Sequence, residues 1–160
     1  MAIVVMGINR QDPGWRYQSP VVEATSRTDD WQSALEALRT GIRWDFESIP
    51  QYMDMLDASG LGLNVAAFAG HSAIRTYVMG EASHQRAATD DEIARMAALV
   101  REAMACGAVG FATSTNEPHN GWGGIPMPSR LADEREMKAL VCAMGESGRG
   151  LFMLTKGSVT

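Results

Sequence analysis

The sequence predicts an α/β fold in which a parallel sheet of βα units forms about half of an eight-stranded barrel. Short apolar segments typical of buried strands alternate with longer segments whose apolar residues recur every three or four positions. Strands that alternate with amphipathic helices favour right-handed βαβ units and a parallel sheet. A complete eight-stranded α/β barrel usually needs about 200 residues or more, whereas the chain has 160 residues. We therefore expect a single partial α/β domain spanning residues 1–160.

The first part of the chain predicts one strand and two helices. Residues 2–6 form an apolar run that ends at Gly7, and a long polar loop follows over residues 8–28. A helix is expected over residues 31–40, after an aspartate cap, because its apolar side chains recur at helical spacing. A second helix is expected to begin near Pro50, since proline is favoured in the first turn.

The middle of the chain predicts a buried strand and the clearest helix of the sequence. Residues 63–69 are rich in valine, alanine and phenylalanine and end at Gly70, which is typical of a strand covered on both faces. A helix is expected over residues 90–106. Thr89 is placed to cap it, and Glu92 is placed to complete a capping box.

Two further strands are expected on either side of the last predicted helix. Residues 108–112 form one short apolar strand, residues 132–144 form the helix, and residues 151–154 form the final strand. In an open four-stranded sheet, the strands over residues 2–6 and 151–154 would be unpaired edges. Folded proteins normally cover such edges.

Composition and charge exclude several classes of function. The chain carries 14 basic and 19 acidic residues, for a net charge of −5, with no run of one sign. Nucleic acid is therefore not an expected partner, because binding phosphates requires clustered lysine and arginine. No apolar stretch reaches the ~18 residues of a membrane span. Two cysteines without Cys-x-x-Cys spacing suit free thiols in a reducing compartment. We expect a cytoplasmic protein that does not bind membranes.

The ends of the predicted strands supply candidate catalytic residues. Ligands of parallel α/β proteins bind beyond the carboxyl ends of the strands. His71 and Arg75 follow the strand that ends at Gly70. His71 is suited to orienting a substrate carboxylate or contacting a metal, or it is an imidazole that bonds to the backbone. Arg75 is suited to clamping a carboxylate, or it forms an ion pair with a neighbouring helix. Lys156, after the last strand, would bridge two metal ions if carbamylated.

Candidate substrate-binding residues follow the strand over residues 108–112. Thr113, Ser114 and Asn116 are placed to donate hydrogen bonds to an anion, although turns use the same residue types without a function. His119 lies in a glycine-rich loop that is suited to a substrate lid. The alternative for this histidine is a plain surface loop.

Several blocks of the sequence resemble the central part of the D-aminoacylase-like amidohydrolases, the family that includes the N-acyl-D-amino-acid deacylases. The blocks are the stretch G-H-S-A-x-R-x-x-V-M-G over residues 70–80, the capped helix, and the following strand G-A-V-G-F. The similarity extends over residues 3–153. The resemblance implies a TIM-type barrel and a metal-dependent hydrolase. It also implies that zinc polarises the acyl oxygen of an N-acyl-D-amino acid and lowers the pKa of a bound water, which then hydrolyses the amide.

The metal ligands of that family are not retained at the matching positions. Asn9 stands where the resemblance places a bridging cysteine, and Thr155 or Lys156 stands where it places a metal-binding histidine. The paired His-x-His ligands would precede the matched region, and a later histidine and the catalytic aspartate would follow residue 160. We therefore expect no metal or other cofactor in this chain and no activity from the chain alone.

An alternative is a non-catalytic interaction protein derived from an amidohydrolase half-barrel. A half-barrel would expose sheet edges and an apolar sheet face, and large exposed apolar patches are rare on soluble monomers. We therefore expect a homo-oligomer, with residues 151–154 or 2–6 at or near the contact. A small molecule remains the expected substrate if the chain takes part in catalysis.

Overall fold

The structure is a computed structural model that describes residues 46–60, 65–121 and 124–156. The described part forms a three-stranded parallel sheet in the order β1-β2-β3, with helices packed against it. The predicted strand over residues 2–6 and the predicted helix over residues 31–40 lie outside the described residues. The elements are α1 (Ile49–Ala58), β1 (Phe68–Gly70), α2 (His71–Met79), a 3₁₀ helix (Gly80–His84), α3 (Asp90–Ala105), β2 (Gly110–Ser114), a second 3₁₀ helix (Pro128–Leu131), α4 (Glu134–Gly145) and β3 (Leu151–Thr155).

The parallel sheet of βα units is confirmed for the three described strands. Ala69 of β1 is in register with Phe111 of β2, which is in register with Phe152 of β3. Because all three strands run the same way, their carboxyl ends meet at one edge of the sheet. The residues that follow Gly70, Ser114 and Thr155 therefore lie at that edge.

The strand boundaries differ from the predictions: β1 starts three described residues later and ends one later, β2 starts and ends two later, and β3 ends one later. Residues 65–67 were expected in a strand, but β1 is confined to Phe68–Gly70, which is the part that pairs with β2. The next strand was expected to end at residue 112, but β2 continues to Ser114 because its last two residues pair with Leu154 and Thr155. Pairing with a neighbouring strand, which a single segment does not reveal, sets both boundaries.

Helix α2 begins directly after β1 and was not predicted. Gly70 is its N-cap, and the helix ends at Gly80, whose φ of +57° is a conformation that glycine adopts without strain. The segment contains several β-branched residues, which lower helix propensity. Its buried face includes Arg75, which interrupts the apolar pattern of an amphipathic helix. Packing therefore outweighs local preference in this segment.

The core lies between the sheet and helices α2, α3 and α4. The predicted capping box of α3 is confirmed, since the Thr89 hydroxyl accepts from the Glu92 amide and the Glu92 carboxylate accepts from the Thr89 amide. Helix α3 places one apolar stripe in this core, and α4 packs beside it. The fully buried side chains include Met96, Val100, Met104, Phe111 and Leu140.

Strand β3 is exposed along its whole length, in contrast to β2, which is buried throughout. Gly110 brings β2 close to β3, because a Cβ added at this glycine would lie 1.9 Å from the carbonyl oxygen of Leu151. The Leu151 amide donates to the carbonyl oxygen of Val109, just before β2, and the Thr155 carbonyl oxygen accepts from the Thr115 amide, just after β2. Backbone groups along a strand of a parallel sheet point alternately to its two sides. Those of Phe152 and Leu154 therefore point to the side of β3 that faces away from β2. That side pairs with no strand of the described residues. None of the described helices has the length and apolar character needed to cross a membrane.

Candidate functional site

A buried hydrogen-bonded network lies where β1 and β2 end. His71 is the first residue of α2, Thr113 lies near the end of β2, and Glu136 lies in the first turn of α4. The His71 Nδ1 atom is 2.7 Å from Thr113 Oγ1, and its Nε2 atom is 2.7 Å from Glu136 Oε1. His71 is 1% exposed and Glu136 is fully buried, so this network is closed to solvent.

Arg75 extends the network into the chain between α2 and α3. One turn after His71, its Nη1 atom donates to Glu136 Oε2 in a buried ion pair. Its Nε donates to the carbonyl oxygen of Ser83 at 3.0 Å, and its Nη2 donates to the carbonyl oxygen of Arg86 at 2.5 Å. All three nitrogens of the guanidinium therefore have partners. The ion pair with a neighbouring helix, which was the alternative for this residue, is the arrangement that the structure has.

The donors and acceptors of the network determine the tautomer of His71. An ionised Glu136 carboxylate only accepts hydrogen bonds, so Nε2 of the imidazole carries the proton and donates to it. In the neutral imidazole Nδ1 is then an acceptor, and the Thr113 hydroxyl donates to it. The partners of His71 are thus two side chains, and the alternative with the imidazole bonded to backbone is not what the structure has.

Burial and charge shift the pKa values of both ionisable partners. Burial, the largest effect, lowers the pKa of His71, while the hydrogen bond and the negative charge of Glu136 oppose it. Burial alone would raise the pKa of Glu136, but the hydrogen bonds from His71 and Arg75 outweigh it and hold that pKa below its usual value. The network therefore contains a neutral imidazole between a hydroxyl and a carboxylate.

The order carboxylate, imidazole and hydroxyl is the order that activates a nucleophile in many hydrolases. Here the Thr113 hydroxyl is buried and bonds to His71. Thr113 lies two residues after Phe111 and so on the same face of β2. The ring of Phe111 is fully buried in the core formed with the helices, 5.2 Å from the ring of His71. The network therefore lies between the sheet and the helices and joins α2, β2 and α4.

The other predicted site residues lie around the end of β2 and do not join this network. Ser114 is buried, and its carbonyl oxygen accepts from the Ser129 hydroxyl at 2.8 Å. Asn116 follows, and its backbone carbonyl accepts from the His119 amide at 3.0 Å. These contacts fold the loop back over the strand end. Lys156 is exposed just after β3. The roles assigned to these residues from the sequence remain predictions.

Glu136 is the member of the network that the sequence analysis missed. It lies four residues before Leu140 and seven before Ala143, and all three are buried on one face of α4. A carboxylate in phase with an apolar stripe is the signal that would have identified it, because a buried carboxylate requires a partner. The partner is Arg75, which is buried in the preceding βα unit.

The donor set at this edge of the sheet does not suit a catalytic metal. Among residues 46–60, 65–121 and 124–156, no three histidine, cysteine, aspartate or glutamate side chains lie close enough to hold one ion. Both ring nitrogens of His71 are committed to Thr113 and Glu136. Thr155 and Lys156, at the end of β3, are poor zinc ligands compared with histidine and cysteine.

A cavity of about 240 Å³ lies beside β1, against α1, α2 and α3. Its wall is mostly apolar and aromatic, and it includes the carboxylate residues Glu47 and Glu102. The cavity does not include any member of the buried network. Its lining includes Phe46, Tyr52, Phe68, Ile74, Tyr77, Leu99 and Glu102.

Comparison with curated proteins identifies related sequences. No model of a known protein family matches the chain. The D-aminoacylase of Alcaligenes xylosoxydans xylosoxydans is 44% identical over 84 residues, which are 52% of this chain and 17% of that protein. An uncharacterised protein of Mycobacterium tuberculosis is 32% identical over 139 residues, which are 80% of this chain and 21% of that protein. The chain thus spans about a fifth of the length of these relatives.

Comparison with solved structures identifies the same group of proteins. A crystal structure of a D-aminoacylase, described as defining a novel subset of amidohydrolases, matches with a TM-score of 0.55 and 31% identity. The match covers 67% of this chain and 20% of that chain. An N-acyl-D-glutamate deacylase of Bordetella bronchiseptica, solved with zinc and a phosphonate inhibitor, matches with a TM-score of 0.56 and 31% identity over 68% of this chain and 20% of its own.

Proposed function

We propose, from the chain's membership of the D-aminoacylase-like amidohydrolase family over about a fifth of its relatives' length, that it is a partial or divergent amidohydrolase. The parent activity is hydrolysis of the amide bond of N-acyl-D-amino acids. In this proposal, the chain supplies βα units of the barrel and does not catalyse the reaction by itself.

The use of His71 in the described site supports this proposal. A catalytic imidazole must present one nitrogen to a substrate, a metal or a water molecule. Both nitrogens of His71 instead bond to side chains of the same chain, and the residue is 1% exposed. Arg75 is likewise fully engaged by Glu136 and two backbone carbonyls. In this proposal, His71 and Arg75 stabilise the fold, and catalysis requires residues outside this network.

The purified chain is expected to bind no stoichiometric zinc and to hydrolyse N-acetyl-D-amino acids no faster than buffer. The physical reason is that, in the part of the chain that the structure describes, no three metal-ligating side chains lie close enough to hold one ion, and both ring nitrogens of His71 already have partners. Metal content after dialysis and release of the free D-amino acid are the measurements, with the D-aminoacylase of Alcaligenes as the positive control. Zinc at about one ion per chain, together with activity that a chelator abolishes, would contradict the proposal.

A second candidate function, a non-catalytic oligomeric protein, is favoured by the exposure of β3. Phe152 and Leu154 lie on one face of the strand and are each 43% exposed. Leu151 and Met153 lie on the other face and are also exposed. An edge strand with apolar side chains on both faces is a template for pairing with another chain. In this proposal, the partner is a second copy of the chain.

The chain is therefore expected to behave as a dimer or larger oligomer in light scattering at low micromolar concentration. Leu154→Lys should shift it to the monomer mass, because a charge on β3 would lose its hydration in the contact. Ile125→Lys is the matched control, since Ile125 is 44% exposed but lies outside β3. A non-aggregating wild-type monomer of 17.3 kDa would exclude this function, as would equal effects of the two substitutions.

A further inference from the structure

We propose that the junction of His71, Arg75 and Glu136 is an acid-sensitive latch, which holds the start of α4 against α2 and releases it as His71 takes up a proton. The proposal goes beyond the function proposed above, since it concerns a conformational change of this chain that requires no catalysis. It depends on the geometry of the buried cluster, in which Glu136 joins the first turn of α4 to His71 and Arg75 of α2.

Glu136 ties the first turn of α4 to α2 through fully buried side chains, whereas Arg135 of the same turn bonds to Asp90 and to the carbonyl oxygen of Ala88 at the start of α3. The two carboxylate oxygens of Glu136 accept from His71 and Arg75, both on α2. The other end of α4 is held separately, by an exposed ion pair between Arg101 of α3 and Glu146 at 2.6 Å. Weakening the junction therefore acts on the start of the helix and leaves the contact at its other end in place.

Protonation of His71 would place a second positive charge beside Arg75 in a region closed to solvent. Desolvating a charge is costly unless the attraction to its partners compensates. The carboxylate of Glu136 is already shared with Arg75, so it compensates the new charge only in part. Opening the start of α4 would admit water to the imidazolium, because Glu136 in its first turn covers the Nε2 side of the ring.

Among the side chains that meet at the junction, His71 is the one expected to change its charge near neutral pH. Thr113 of β2 is uncharged, and Arg135, the residue before Glu136, is exposed and pairs with Asp90 and Asp133. Other charged side chains of the neighbouring elements form contacts outside the junction: Arg86 with Glu92, His84 with Glu81, and Arg130 with Asn120.

The sign of the pH effect follows from the shifted pKa values. The closed state has a His71 pKa below the ordinary value of 6.5, whereas the opened state exposes the imidazole to water. The opened state therefore binds the proton more tightly, and acidification below about pH 6.5 favours opening. The pKa of Glu136 in the closed state lies below its ordinary value of 4.5, so this carboxylate adds to the effect only below about pH 4.5. The range from pH 6.5 to 5 isolates His71.

Hydrogen exchange of the folded chain between pH 7.5 and 5 tests the latch. After correction for intrinsic exchange, protection of the Met137 and Leu140 amides should fall by up to about tenfold per pH unit below pH 6.5, the limit for one proton. Protection of the Val100 amide in α3 should stay constant. His71→Gln should remove the pH dependence, because its amide donates to Glu136 and accepts from Thr113 without titrating. His84→Gln should behave like the wild type.

The wild-type chain decides the question even if His71→Gln fails to fold. Constant protection of α4 down to pH 5 would overturn the proposal, as would an equal loss of protection in α3. A loss that persists in a folded His71→Gln variant would also overturn it. An NMR titration of the wild type should place the His71 midpoint below 6.5, and a midpoint at or above 6.5 would contradict the mechanism.

Discussion

Replacing Glu136 with alanine is expected to lower the free energy of unfolding by about 3–5 kcal/mol, the usual cost of removing one partner of a buried ion pair. Arg75 would then be a fully buried cation without its carboxylate, and the Nε2–H of His71 would lose its acceptor. Urea denaturation followed by circular dichroism at pH 7 measures the change.

Glu134→Ala is the matched control for this substitution. Glu134 lies in the same first turn of α4 and interacts with the same helix dipole, but its side chain is exposed. A loss of less than about 1 kcal/mol is expected for the control. Equal losses for the two variants would mean that the junction contributes no more to stability than an exposed carboxylate does.

Gly110→Ala is expected to separate β3 from β2. The added Cβ would lie 1.9 Å from the Leu151 carbonyl oxygen and 2.6 Å from its nitrogen, and neither strand backbone can yield as a flexible side chain does. Overpacking of a core typically costs about 1–3 kcal/mol, and a clash with backbone lies at the upper end or beyond. Amides of β3 that bond to β2 should lose their protection from hydrogen exchange.

The control for the glycine substitution is Gly145→Ala. Gly145 is the last residue of α4, and no atom lies within 4 Å of a Cβ built at this position. Alanine also favours helix more than glycine does, so this variant should be neutral or slightly more stable. If Gly110→Ala kept wild-type stability and β3 protection, the close approach of the two strands would not limit the side chain at residue 110.

The parts of the fold that the sequence predicted are those fixed by local signals. The Thr89 cap and the periodic apolar stripe of α3 act within a few residues, so the helix and its capping box are visible in one segment. The three described strands were recognised because short apolar runs bounded by glycine have few alternatives. Their ends were wrong by one to three of the described residues, because pairing with the next strand decides where β1 and β2 stop.

The buried network could be predicted only in part. His71, Arg75 and Thr113 were singled out because they follow predicted strands, but Glu136 lies 61 residues after the arginine that it pairs with. No local pattern joins two residues at that separation. Helix α2 was missed for a related reason. Arg75 lies on its buried face and so breaks the apolar pattern, and the carboxylate that compensates it is distant in the sequence.

The flanks of β3 bear on whether the chain remains soluble. A run of four apolar residues without proline or charge has the composition of segments that stack into cross-β fibrils. Arg149 precedes this run and Lys156 follows it, and charges in such positions act as gatekeepers because stacked copies would repel one another. Arg149 also donates to the carbonyl oxygens of Met104 and Ala108, which fixes one charge at the entrance to the strand. Salt screens this repulsion, so high ionic strength favours aggregation of a chain whose β3 has no partner.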